Sequence, residues 1–120
     1  MAETGRLTTH ILDTAAGLPG SGIAVTLYAV EGEMRRELTR ARTNRDGRCD
    51  QPLLAGAAFQ PGLYELVFAT AAYFRARGVV LTEPPFLDEI SIRFGIAAAD
   101  QHYHVPLLVS PYAYSTYRGS

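Results

Sequence analysis

Short runs of β-forming residues recur along this 120-residue chain. Each alternates with a period of two and each is closed by glycine, proline or an Asp-Gly pair, a pattern that favours an all-β architecture. The cleanest run is residues 23–30, where Ile23, Val25, Leu27 and Ala29 alternate with Ala24, Thr26, Tyr28 and Val30. Both faces are largely apolar, so this strand is expected to be covered on both sides. Residues 7–12, 64–69 and 87–96 read as further strands, and the charged segment 35–42 reads as an exposed edge, because charge blunts unwanted pairing. Only residues 70–77 break the pattern: Thr70 is expected to cap a short helix that Gly78 ends. Seven or eight short strands with turn residues between them predict an antiparallel β-sandwich with one small helix.

The last nineteen residues stand out. Domain termini are usually frayed and polar, yet here an apolar strand runs into an aromatic ending, Tyr117-Arg118-Gly119-Ser120, that is built to be held. Along that strand His102, His104, Pro106 and Leu108 share one face, and Tyr103, Val105, Leu107 and Val109 share the other. Two imidazoles therefore point the same way. Pro106 has no N–H and predicts a sheet edge or the start of irregularity. Upstream, residues 43–48 form a turn with Asp46-Gly47 at its tip, and Arg48 follows where a rigid turn aims a guanidinium.

The length suits one domain, residues 1–120, with a core that needs no disulfide or metal. Cys49 is the only cysteine, which excludes an internal disulfide and fits a reducing compartment. A net charge of −1 with the charges dispersed gives no basic stripe for nucleic acid. No apolar run is long enough to cross a bilayer, and the ending differs from a Ser-Lys-Leu address. A soluble cytoplasmic protein is the expectation.

Of the three histidines, His10 and His104 fall inside strands. Imidazole is the side chain best suited to exchanging protons near neutral pH, although on composition alone a half-buried strand histidine with one satisfied nitrogen is the simpler reading of each. His10, His102 and His104 together suggest a three-imidazole zinc site, but without acidic or thiolate partners the signal is weak, and no metal or cofactor is expected. The mixed charges Glu31, Glu33, Arg35, Arg36 and Arg40 read most simply as a solvated face, Asp13 as the start of a loop.

The segments LTTHILD (7–13), NRDGR (44–48), YHVPLL (103–108) and SPYAYSTYRGS (110–120) resemble those of the transthyretin-related 5-hydroxyisourate hydrolases of urate breakdown, in order and spacing, over residues 5–120. The resemblance implies two four-stranded sheets with a short helix. It implies that His10, Arg48 and His104 occupy the family's active-site positions, with Tyr117, Arg118, Gly119 and Ser120 as its closing motif. It also implies a homotetramer whose sites form between dimers, and cofactor-independent hydrolysis of 5-hydroxyisourate to 2-oxo-4-hydroxy-4-carboxy-5-ureidoimidazoline. On that reading the histidines activate water and Arg48 stabilises developing negative charge. Tyr117, Arg118 and Gly119 contact substrate, and Ser120 positions rather than attacks, since no nucleophile elbow is visible. His102 matches no catalytic position and is expected to be solvated. The rival reading is a transthyretin-like carrier of aromatic small molecules, a class that lacks this His, Arg, His and YRGS set. A β-sandwich interaction module would share the fold and leave the terminal motif unexplained.

Overall fold

In the computed structural model, which describes residues 5–119, the alternating runs become nine strands, three of them only two or three residues long. They are β1 (Arg6–Asp13), β2 (Leu18–Pro19), β3 (Ala24–Glu31), β4 (Met34–Arg42), β5 (Leu54–Ala55), β6 (Gly62–Phe68), β7 (Ile90–Ile96), β8 (His102–Val109) and β9 (Tyr114–Thr116). The helix α1 spans Thr70–Ala76. One sheet has the order β2-β1-β8-β9, with the short β5 on the start of β1, and the other has the order β4-β3-β6-β7.

Alternation explains how the layers face. Leu7 and Ile11 of β1 and Tyr103, Val105, Leu107 and Val109 of β8 are buried, and they pack with Val25, Leu27, Leu66, Phe68, Ile90 and Ile92 of the other sheet into one apolar core. The period of two then turns Thr8, His10, His102 and His104 onto the outer face of the β1–β8 sheet. Hydrophobic burial of one face thus positions the polar set on the other. All pairings are antiparallel except β1 with β8, which run parallel from Arg6 opposite His102 to Asp13 opposite Val109. These strands lie at opposite ends of the sequence, so the intervening chain can supply the long crossover that a parallel pair needs.

The charged edge is β4, bulged where Leu27 faces Thr39 but Tyr28 faces Glu37, leaving Leu38 unpaired. Its charges are not all solvated. Arg36 and Arg40 meet Glu31 and Glu37 at the surface, but Arg35 reaches Glu65, 8% exposed, at 2.6 Å and stacks over Tyr28. Arg93 approaches the other oxygen of the same carboxylate at 3.3 Å.

Some local expectations change, wholly or in part. Thr70 does not cap α1: it is the first helical residue and 1% exposed, while Ala69 takes the cap position without a side-chain bond. The Ala71 N–H donates instead to the Asp88 carbonyl at 3.0 Å, so no hydroxyl is needed there. Pro106 lies in β8, which is flanked on both sides, and so is not at an edge. The irregularity is present, however. The Gly119 N–H donates to the His104 carbonyl and the Thr116 hydroxyl to the Pro106 carbonyl, so the missing Pro106 N–H lies on the β9 side. The ladder therefore opens at Tyr117 and Arg118 and closes again at Gly119 opposite His104.

Asp13 does more than start a loop. It is 1% exposed, and its carboxylate accepts from the Ala15 and Ala16 N–H groups at 3.0 Å and from the Tyr73 hydroxyl at 2.8 Å, tying α1 to the end of β1. Burial first, and then this carboxylate, pushes the Tyr73 phenol up to about 12. Asp13→Ala leaves the Tyr73 hydroxyl buried without its acceptor, and we expect it to lower stability by about 2–4 kcal/mol. The check is a urea titration, in which the midpoint falls while the slope is unchanged.

Candidate active site

Asn44 builds the turn that carries Arg48. Its side-chain oxygen accepts from the Asp46 and Arg48 N–H groups, and its amide donates to Asp50 at 2.9 Å. Gly47 follows at φ +77 with its carbonyl accepting from the Ile11 N–H at 2.8 Å, and a Cβ there would run into the Ile11 carbonyl. Glycine is required on both counts. The turn is thereby pinned to β1, with Arg48 bridged to His10.

His10 Nε2 lies 2.9 Å from the Asp46 carbonyl oxygen. A carbonyl only accepts, so Nε2 carries the proton and Nδ1 of the neutral ring is left with the lone pair. Parallel pairing brings Thr8 opposite His104, and the Thr8 Oγ1 lies 2.8 Å from His104 Nδ1 and 2.6 Å from His102 Nε2. Among the described residues, His104 Nε2 makes no hydrogen bond.

A cleft of about 360 Å³ is lined by Thr8 together with His102, His104, Arg6 and Arg48. Thr9, Cys49 and Gln51 complete the lining, and among the described residues no carboxylate does. Neither Arg6 nor Arg48 forms an ion pair among the described residues, so the cleft is cationic and suited to an anionic or carbonyl-rich ligand. Burial, followed by the Arg48 charge and the two other imidazoles, holds His104 below the ordinary value of 6.5. His10 is lowered by burial and then by Arg48, and His102 by burial and then by Arg6. All three rings are thus biased toward the neutral, proton-accepting form. Burial and Asp50 push the Cys49 thiol up, which keeps it protonated and a poor nucleophile.

The residues singled out from the sequence are not equally close to the cleft. Arg48 and His104 line it, and His10 stands beside Arg48 without being part of the lining. His102, expected to be solvated, is half-buried and lines the cleft, because strand alternation puts it on the His104 face and Thr8 holds its ring. Arg118 turns to the core side of β8, stacks 4.1 Å over the Tyr103 ring and donates to Gln101 at 2.9 Å. Tyr117 is 61% exposed and with Arg118 borders a separate hollow beside Phe94 and Tyr103. Ser120 lies outside the described residues. Thr8, Arg6 and Gln51 were missed by sequence reasoning; Thr8 alone had a signal, as it precedes His10 by two on the same strand face. Among the described residues no group of three or more His, Cys, Asp or Glu side chains is arranged to hold a metal ion, and no helix is long and apolar enough to cross a membrane.

Gly119 packs on the His104 ring: a Cβ there would sit 2.6 Å from Cδ2 and 3.2 Å from Cγ. Gly119→Ala must shift the imidazole. Displacements of about 1 Å in a catalytic group cost up to about 100-fold in rate, and we expect kcat for the reaction proposed below to fall by about 10-fold or more, with the thermal midpoint changed little.

Fold and cleft together define a transthyretin-like β-sandwich that carries a cationic, imidazole-bearing cleft on the outer face of one sheet. The chain belongs to the HIUase/Transthyretin family, whose family model matches residues 7–119. It is 63% identical over 116 residues to the 5-hydroxyisourate hydrolase of Pseudomonas aeruginosa, spanning 97% of this chain and 92% of that one. Among solved structures it is similar to (S)-allantoin synthase, with a TM-score of 0.93 and 44% identity. That match covers 99% of this chain but 45% of the other, so this chain spans a little under half its length. It is also similar to sea bream transthyretin in complex with thyroxine, with a TM-score of 0.84 and 25% identity over 95% of this chain and 94% of that one.

Proposed function

We propose that this chain hydrolyses 5-hydroxyisourate to 2-oxo-4-hydroxy-4-carboxy-5-ureidoimidazoline. The observation that carries the reading is the shared cleft of His104 and Arg48, an imidazole with its Nε2 unbonded beside a guanidinium without an ion pair among the described residues. The likeness to a 5-hydroxyisourate hydrolase over 97% of the chain supports the substrate.

The reaction opens a cyclic amide. Water adds to the ring carbonyl, the C–N bond breaks, the carbon becomes the product's carboxylate and the nitrogen, taking up a proton, ends as the terminal NH2 of its ureido group. His104 takes the proton from the attacking water, and its lowered basicity keeps it neutral and ready at physiological pH. His10, with its Nδ1 lone pair free, shuttles a proton toward the leaving nitrogen. Arg48 directs planar N–H donors at the carbonyl oxygen as it becomes anionic, a task its fixed geometry suits better than lysine's. No resident metal or cofactor is invoked. Tyr117, Gly119 and Ser120 shape the substrate's surroundings once four copies of this single-domain chain assemble in the cytoplasm, Arg118 bracing that segment against Tyr103.

Turnover in ¹⁸O-labelled water tests the chemistry: one labelled oxygen must appear in the product carboxylate, and an unlabelled product would exclude hydrolytic attack there. The likeness to a thyroxine-bound transthyretin favours a second reading, a carrier. That reading predicts retention of an aromatic ligand without conversion.

A further inference from the structure

One feature of the cleft is not used by a reaction built on His10, Arg48 and His104 alone. Thr8 Oγ1 stands between two imidazoles, 2.6 Å from His102 Nε2 and 2.8 Å from His104 Nδ1. A hydroxyl has one proton to donate. If it donates to one ring, the other ring must donate to it, so the two tautomers are tied together. With Thr8 donating to His102, His104 carries its proton on Nδ1 and presents a bare Nε2. With Thr8 donating to His104, the pattern is reversed.

We propose that Thr8 and His102 form a proton relay behind His104, Thr8 as the positioning residue that sets the His104 tautomer and His102 as the outer acceptor. The proposal rests on the hydrolase reading. As water adds to the substrate carbonyl, its proton goes to His104 Nε2. The His104 Nδ1 proton passes to Thr8 Oγ1, and the Thr8 proton passes to His102 Nε2. His104 remains neutral in its other tautomer, and His102 becomes the imidazolium. The reverse path returns the proton to His104 Nε2, and from there it reaches the amide nitrogen by way of His10 Nδ1 when the C–N bond breaks, so protons and charge balance over the cycle.

Both rings face an opposing cation, and His104 faces more positive charge than His102. The charged groups facing the pair are Arg48, whose cation opposes a charge on His104, and Arg6, whose cation opposes one on His102; His10 adds to the field at His104. A cation held on His104 would sit beside the guanidinium that must bind the developing oxyanion. The relay moves it one ring away. It also accounts for two histidines two residues apart on one strand face, with a threonine from the parallel strand between them.

The test compares Thr8→Val, which keeps the shape and loses the hydroxyl, with Thr8→Ser, His102→Gln and the double variant Thr8→Val/His102→Gln. We expect Thr8→Val to lower kcat by about 10- to 100-fold, toward the lower range of a proton-transfer effect, with KM within about twofold. Thr8→Ser restores kcat to within about threefold of the parent protein. The double variant is no slower than Thr8→Val alone, because the groups act as a unit. Independently of turnover, ¹⁵N NMR of the ring nitrogens should show His104 as the Nδ1–H tautomer in the parent protein and a mixture in Thr8→Val. Unchanged kcat and unchanged tautomers in Thr8→Val, or losses that simply multiply in the double variant, would overturn the relay. If the parent protein does not hydrolyse 5-hydroxyisourate, the functional reading fails, while the NMR comparison still decides whether Thr8 couples the two rings.

Discussion

His104→Ala is expected to reduce kcat for 5-hydroxyisourate by about 10²- to 10⁴-fold, the range in which a positioned general base contributes. KM should change little, because in the proposed reaction the ring acts on the water more than on the bound substrate. The fold should survive. His104 is half-buried on the outer face of the sheet, whereas the core side of β8 is held by Tyr103, Val105, Leu107 and Val109. Thermal melts alongside stopped-flow rates separate the two effects, and a melt far below the parent's would mean that the lost rate reports unfolding instead. Residual activity should remain through Arg48 and the bound geometry, since removing one catalytic group leaves the others in place.

Arg48→Gln carries the second large effect. Losing a donor aimed at a developing oxyanion costs about 10²- to 10³-fold in kcat, and KM should rise as well on the proposal that the same guanidinium orients the substrate. The variant also has a pH signature. Arg48 is the main charge, after burial, that lowers both His104 and His10. In the parent protein the acid limb of kcat/KM should therefore lie below the ordinary imidazole value of 6.5. With the cation gone it should move up toward that value, so relative activity is lost earlier as the pH falls. Stability follows the same sign. Rings whose basicity is lower in the folded state bind fewer protons than in the unfolded chain, so their contribution is present above the unfolded value and is lost as the pH drops below it. An acid limb unmoved by Arg48→Gln would show that burial alone sets the imidazoles.

Much of this molecule was legible in the residues, for a physical reason. Alternation in residues 7–12, 23–30 and 102–109 decides which side chains enter the core, and His10, His102 and His104 follow onto the outer face without knowledge of any contact. The Asn44–Arg48 turn was legible too, because Asp46-Gly47 allows few conformations. Pairing across the length of the chain was not. That β1 lies parallel to β8, with Thr8 opposite His104, depends on contacts nearly a hundred residues apart, and no local pattern encodes them. His102 matches no catalytic position of the family, and its place in the cleft is not legible because the threonine that holds it comes from the other strand. The same limit applies to Arg118. Gly119 opposite His104 puts the preceding residue on the opposite face, over Tyr103, and only the register reveals this. Asp13 was read from its place after a strand, whereas its burial depends on Tyr73, which arrives sixty positions later.

The most direct measurement follows the ultraviolet absorbance of 5-hydroxyisourate, generated in place from urate by urate oxidase, with this protein and with buffer alone. Because the compound also decays unaided, only acceleration is informative. Our account predicts faster decay with the parent protein and a return to the buffer rate, or close to it, with His104→Ala and with Arg48→Gln. No acceleration by the folded parent protein, or acceleration that both variants retain in full, would contradict it.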